Sequence, residues 1–319
     1  MDSAELHRPH HPVRVVTAAS LFDGHDASIN IMRRLLQAQG AEVIHLGHDR
    51  SVDEVVRAAL DEDAAAVAIS SYQGGHVEYF TYLVQRLAEE GIGHVRVYGG
   101  GGGVIVPAEI DALAKVGVRI FSPADGQRLG LDAMVNTIVR ECDVPPRAPE
   151  SVDDLPGGSR RTLAAVLTAV ENGILPDPLA ERLDALAAGR QAPVLGITGT
   201  GGSGKSSLTD ELVLRLRRDQ EDKLRVAVLA VDPNRRRSGG ALLGDRIRMN
   251  SIGTDQVYFR SIGTRSSASE LPPSVPRMVT ACRAAGYDLV IVETPGIGQG
   301  DSAGVDLADV SLYVMTPEY

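Results

Sequence analysis

"PVLGITGTGGSGKSSLTDELVLRL", residues 193–216, reads as strand, loop and helix in immediate succession. Gly199 to Ser206 satisfy G-x-x-x-x-G-K-[ST] in full, in the context that motif requires. Gly201, Gly202 and Gly204, with Ser203 among them, let backbone N–H groups turn inward around phosphate oxygens. The helix N-terminus adds partial positive charge and Lys205 neutralises the outer phosphates. Ser206 is placed to hold Mg²⁺, and Ser207 follows it in the first turn. This half of the chain is expected to be a P-loop α/β domain that binds a nucleotide.

A phosphate loop needs metal ligands and a sensor. "RVAVLAVDP" (225–233) is an apolar strand ending in Asp232, and "GGALLGDRIRM" (239–249) brings Asp245 and Arg246. "YDLVIVETPGIGQGD" (287–301) is a second apolar strand, ending in Glu293 and followed by Gly296, Gly298 and Gln299. Acids at strand ends beside a phosphate loop are where Mg²⁺ and its waters are held. Gly239, Gly240, Gly296 and Gly298 are expected to give the adjoining loops more than one backbone state, as in an order–disorder switch. "VDPNRRRSGGALLGDRIRM" (231–249) and "ETPGIGQGD" (293–301) resemble the SIMIBI-class GTPase chaperones of cobalamin-dependent acyl-CoA mutases, the MeaB/ArgK type. The resemblance implies GTP/GDP as ligand and places Ser206, Asp232, Asp245 and Glu293 around Mg²⁺. It also gives Lys205 and Glu293 the catalytic roles.

The first half alternates short apolar runs with helical periodicity. "VRVVTAAS", "AEVIHLG", "AAVAISS", "HVRVYGGGGG" and "VRIFSP" read as strands. Five helical segments interleave with them, the first with its stripe at Ile29, Met32, Leu35 and Leu36. Ser51 with Glu54 forms a capping box at the second. This alternation predicts a doubly wound, parallel, flavodoxin-like (Rossmann-type) sheet, which binds ligands beyond the carboxyl ends of its strands.

At the first such turn stands "LFDGHDASINIMRRLL" (21–36), with His25 between Asp23 and Asp26. Cobalamin-binding domains of the mutase type carry D-x-H-x-x-G, then S-x-L, then a G-G pair. Asp23, Gly24 and His25 open that pattern, with Ser28 where the final glycine is usual. Ser70 follows in "ISSYQGGH", with Tyr72 at the leucine position, and Gly102 and Gly103 lie in the five-glycine run. The resemblance implies adenosylcobalamin with its dimethylbenzimidazole tail displaced and His25 as the lower cobalt ligand. A carboxylate on the other ring nitrogen fixes the tautomer, and Asp23 is placed to supply it. His45, His48, His76 and His94 read as ordinary surface or loop residues.

The expected organisation is a cobalamin-binding domain at 10–142, a Pro- and acid-rich linker at 143–158 and a GTPase domain at 159–319. "FDGHDASINIMRR" and "SYQGGH", together with this domain order, are similar to the fused isobutyryl-CoA mutases. That resemblance implies isomerisation of isobutyryl-CoA to n-butyryl-CoA, with an acyl-CoA-binding barrel elsewhere in the protein. A stand-alone GTPase that loads cobalamin, or a mutase for another acyl-CoA, are the alternatives. No N-K-x-D occurs, so GTP is not distinguished from ATP by a base-reading motif, and the sequence is expected to be part of a longer, truncated G domain. A net charge of -10, no Trp and only 4% aromatics argue against nucleic-acid binding. Two distant cysteines suggest no disulfide framework, and no apolar run reaches membrane length. The expectation is a cytoplasmic homodimer without a membrane partner.

Overall fold

Apolar runs that do not alternate are the mark of parallel strands buried on both faces. β1 (Arg14–Ala19) is buried at every position, as are β2 (Glu42–His45) and β3 (Ala66–Ser70). A computed structural model describes residues 6–235, 237–265, 271–296 and 307–316. The chain forms two compact units: residues 1–145 with 235–244, and residues 146–234 with 245–319.

In the first unit the helices are α1 (Ala27–Ala38), α2 (Val52–Asp61) and α3 (His76–Glu89). After β4 (Arg96–Gly100) come α4 (Pro107–Lys115), β5 (Val118–Ile120), α5 (Pro123–Leu129) and α6 (Leu131–Cys142). The capping box at Ser51 and Glu54 is present. Sequence reading missed α5, whose signal is itself a capping box: Ser122 as N-cap, Pro123 at N1 and Asp125 reaching back. The sheet is parallel, in the order β5-β4-β3-β1-β2-β8. From β1 the chain runs to β2 on one side and, through β2, to β3 on the other. The crevice therefore opens beyond the ends of β1 and β3.

The sixth strand, β8 (Ala241–Leu243), is three residues from the second half of the sequence. It pairs in parallel with β2, in the register Glu42↔Ala241 to Ile44↔Leu243. Ala241 and Leu243 are fully buried in the same apolar cluster as Val16, Ile44 and Val55. Ser238 Oγ donates to the Gln37 carbonyl at 3.1 Å. A domain division at residues 142 and 159 leaves this strand in the wrong unit, because a three-residue run carries too little pattern to announce its partner.

The second unit begins with residues the sequence reads as linker. Val152 and Leu155 are fully buried in its core, so the second half of 143–158 is a packed segment. The helices α7 (Arg160–Glu171) and α8 (Asp177–Ala187) precede β6 (Val194–Gly199) and α9 (Lys205–Asp219). Then come β7 (Val226–Asp232), β9 (Val257–Gly263), α10 (Val275–Ala284), β10 (Leu289–Glu293) and β11 (Val310–Val314). The sheet is parallel, in the order β11-β6-β10-β7-β9. The buried guanidinium of Arg260 pairs with buried Glu171 at 2.9 Å, tying β9 to α7. No helix among the described residues is long and apolar enough to cross a membrane.

Because Leu243 fills a closed core, Leu243→Ala should cost roughly 3 kcal/mol of unfolding free energy. Leu214→Ala, on a half-exposed flank of α9, should cost less than about 1 kcal/mol. Calorimetric unfolding of both variants checks this; equal costs would mean β8 contributes little to its sheet.

Candidate functional sites

The first site is assembled by one buried carboxylate. Asp23, wholly inaccessible, accepts from the His25 main-chain N–H at 2.9 Å and faces His25 Nδ1 at 2.8 Å. Its second oxygen accepts from the Tyr72 N–H at 2.5 Å. A carboxylate only accepts, so Nδ1 carries the proton and Nε2 keeps its lone pair. The His25 side chain is 64% exposed, so that lone pair is available to a metal. The Asp23–His25 pairing expected from sequence is the geometry found.

Beside this turn lies an apolar cavity of about 260 Å³. Its walls include Ile29, Met32, Ser70, Tyr72, Gly102 and Phe121. Ser70 Oγ is buried and makes no hydrogen bond, so it offers a donor to a ring nitrogen brought into the cavity. A flat aromatic group with one acceptor nitrogen suits these walls, which is the chemistry of a benzimidazole tail. Gly102 lines the cavity, whereas Gly103 does not, and Gly24 faces open space.

Two histidines read as surface residues are buried. His45 hydrogen-bonds Thr17 through Nδ1 at 3.0 Å. Burial and then the Arg33 charge push it down to about 4, so it is neutral at neutral pH. His76 Nε2 meets Glu109 at 2.8 Å. Burial lowers its pKa, but the Glu109 carboxylate and the Gln73 carbonyl outweigh that and raise it. Neither was legible: His45 ends β2 and His76 begins α3, and at the end of an element periodicity gives little burial signal.

The second site lies at the carboxyl ends of β6, β7 and β10. Lys205 is buried, with Nζ donating to the carbonyls of Gly199 at 3.2 Å and Thr200 at 3.1 Å. Ser206 Oγ donates to Glu293 Oε1 at 2.7 Å and lies 3.1 Å from Asp245 Oδ1. Thr209, which sequence reading passed over, donates to Glu293 Oε2 at 2.8 Å. Its signal was its place one helical turn after Lys205. Burial raises the Glu293 carboxyl above its ordinary range. Asp245 adds to this, and the Ser206 and Thr209 hydroxyls and Lys205 only partly offset it. Thr200 Oγ1 and Ser203 Oγ are buried without a hydrogen bond, which suits a loop built to receive phosphate oxygens.

Ser206, Asp245 and Glu293 thus converge. Asp232 ends β7 beside β10, and no group of three His, Cys, Asp or Glu side chains close enough to hold a metal occurs among the described residues. A divalent ion here would use the Ser206 hydroxyl and one or two carboxylates, as Mg²⁺ does when phosphates and waters complete its shell. Gly201, Gly202, Gly204 and Ser207 take the loop and first-turn positions expected. Gly239 and Gly296 hold left-handed backbone, at φ 75° and 70°, and Gly240 and Gly296 also make close contacts. A Cβ on Gly296 would fall 2.3 Å from Lys205 Nζ, and one on Gly240 2.1 Å from the Gln37 carbonyl oxygen. Gly298 and Gln299 lie outside the described residues.

Comparison with known proteins agrees with this geometry. Residues 13–126 match the B12 binding domain, and residues 163–319 match the methylmalonyl Co-A mutase-associated GTPase MeaB. The fused isobutyryl-CoA mutase of Nocardia farcinica is 63% identical over 100% of this chain and 30% of its own length. That of Cupriavidus metallidurans is 60% identical over 98% of this chain and 29% of its own. That of Geobacillus kaustophilus is 53% identical over 99% and 30%. The chain therefore spans about 30% of the length of these relatives.

The raised Glu293 carboxyl gives a test with a definite sign. A folded-state pKa above the unfolded value makes this group's contribution favourable at low pH, and that contribution is lost as pH rises through the folded value. In metal-free buffer at neutral pH, Glu293→Gln should therefore melt above wild type. The gap should close as pH falls into the carboxylate range. A variant that melts below wild type at neutral pH would show that the charged form is stabilised here.

Proposed function

We propose that this chain, a B12-binding domain joined to a MeaB-type GTPase domain, supplies the cofactor and chaperone modules of an adenosylcobalamin-dependent acyl-CoA mutase. The reaction is the carbon-skeleton isomerisation of isobutyryl-CoA to n-butyryl-CoA. The observation that carries the reading is His25. Its Nδ1 is held by buried Asp23 and its Nε2 is free, beside a cavity with an unsatisfied Ser70 hydroxyl. The similarity to fused mutases across both units supports the substrate.

Bound adenosylcobalamin supplies a radical by homolysis of its Co–C bond. The residues of this chain bind and position. His25 would hold cobalt through Nε2, with Asp23 keeping the imidazole in the right tautomer, and Ser70 would donate to a nitrogen of the cofactor's tail. In the second unit the phosphate loop and Lys205 hold GTP or GDP. Ser206, Asp245 and Glu293, with Asp232 at the end of the next strand, hold Mg²⁺ and its waters. Lys205 offsets the charge that develops on the outer phosphates, and Glu293 positions the hydrolytic water. A dimer acting on acyl-CoA in the cytoplasm is part of the same proposal.

Electron paramagnetic resonance of the chain with bound cob(II)alamin tests the ligand. Axial splitting should change when the protein is labelled with ¹⁵N, and vanish in His25→Ala. Splitting that ignores the label would mean that the cofactor's own tail stays on cobalt.

Lys205→Ala should abolish nucleotide binding, measured by calorimetric titration, while cobalamin affinity in the same protein stays within about twofold. The basis is that Lys205 belongs to the phosphate loop of the second unit, whereas the cobalamin residues belong to the first. Loss of both ligands from folded protein would contradict two separate sites.

A further inference from the structure

Ser28 and Tyr72 stand where the generic cobalamin pattern has glycine and leucine. The structure brings these two departures together: Ser28 Oγ and the Tyr72 hydroxyl lie 2.5 Å apart. A glycine–leucine pair makes no such bond, so the two residues form one feature.

The pair sits at a boundary. Both residues are half-buried, while Ile29 beside one and Ser70 beside the other are buried, and all four line the cavity. Tyr72 also touches the segments that follow β1 and β4. Its main-chain N–H is held by Asp23 after β1, and its ring is 5.7 Å from that of His25. Its edge covers Gly102 after β4, where a Cβ would lie 2.9 Å from Cε1. The phenol thus spans the side of the cavity nearest His25, and its hydroxyl is satisfied by Ser28 instead of water.

We propose that Ser28 and Tyr72 form a latch across the mouth of the tail cavity, closed before cobalamin binds and opened by the incoming tail. This rests on the cobalamin reading above. The two hydroxyls are positioning groups: while they bond each other, only the minor open form admits the tail, so the insertion rate is scaled by the open fraction.

Stopped-flow absorbance with adenosylcobalamin and the full chain reads the change from tail-on to tail-off spectrum. Tyr72→Phe keeps the ring over Gly102, and Ser28→Ala reaches the same bond from the first turn of α1. Each should speed tail insertion by about fivefold, the effect of losing one hydrogen bond. The double variant should be no faster than either single one, because both remove the same bond. The final spectrum should be unchanged in all three. Insertion that is unchanged or slower in both single variants overturns the latch, as do effects that multiply in the double variant. Wild-type protein that binds cobalamin without ever reaching the tail-off spectrum overturns the cobalamin reading, and the latch with it. Faster insertion in only one of the two single variants also overturns the latch, since the bond needs both hydroxyls.

Discussion

The first site depends on a carboxylate that has no access to water. Asp23 accepts from the His25 ring, the His25 main chain and the Tyr72 main chain. A buried carboxylate is tolerated only when its lone pairs are met, so the three donors and the acid require one another. The outcome is an imidazole whose orientation is set by protein while its other nitrogen keeps its lone pair on an exposed side chain. Parallel pairing of β1 with β3, with Ala19 opposite Ser70, brings the two loops close enough for this.

The second site solves a related problem differently. Glu293 is also buried, but its partners are two hydroxyls from one helix, with Asp245 close by. Hydroxyls can turn away toward an incoming ion, whereas main-chain amides cannot. One acid is therefore fixed and the other is poised to exchange partners. The difference suits a cofactor that stays and a nucleotide that turns over.

Much of this was legible in the sequence, for identifiable reasons. The phosphate loop is local, and its residues act within eight positions of one another. Asp23 and His25 are two residues apart, so their hydrogen bond is also a local event. The parallel sheets followed from unbroken apolar runs. What sequence hid was long-range. Thr209 facing Glu293, the burial of His45 and His76, and the Ser28–Tyr72 contact each join segments that no periodicity links. A short β8 hid for the same reason: its apolar residues are common to any strand, and its partner is set by tertiary packing.

The borrowed edge strand has a bearing on how the polypeptide is made. A ribosome emits the chain from one end, and β2 leaves it about 200 residues ahead of β8, the strand it pairs with. At about 5–20 residues per second the wait is on the order of ten seconds. During that interval the Glu42–His45 edge offers unpaired main-chain groups to any extended neighbour. The first sheet to be synthesised is therefore not complete until β6 and β7 of the second have been made. The capping boxes at Ser51 and Ser122, the short strands and the early helices must hold it open-edged until Ala241 to Leu243 emerge. Codon choice and chaperone timing across residues 145–240 thus act on a sheet that those residues do not belong to.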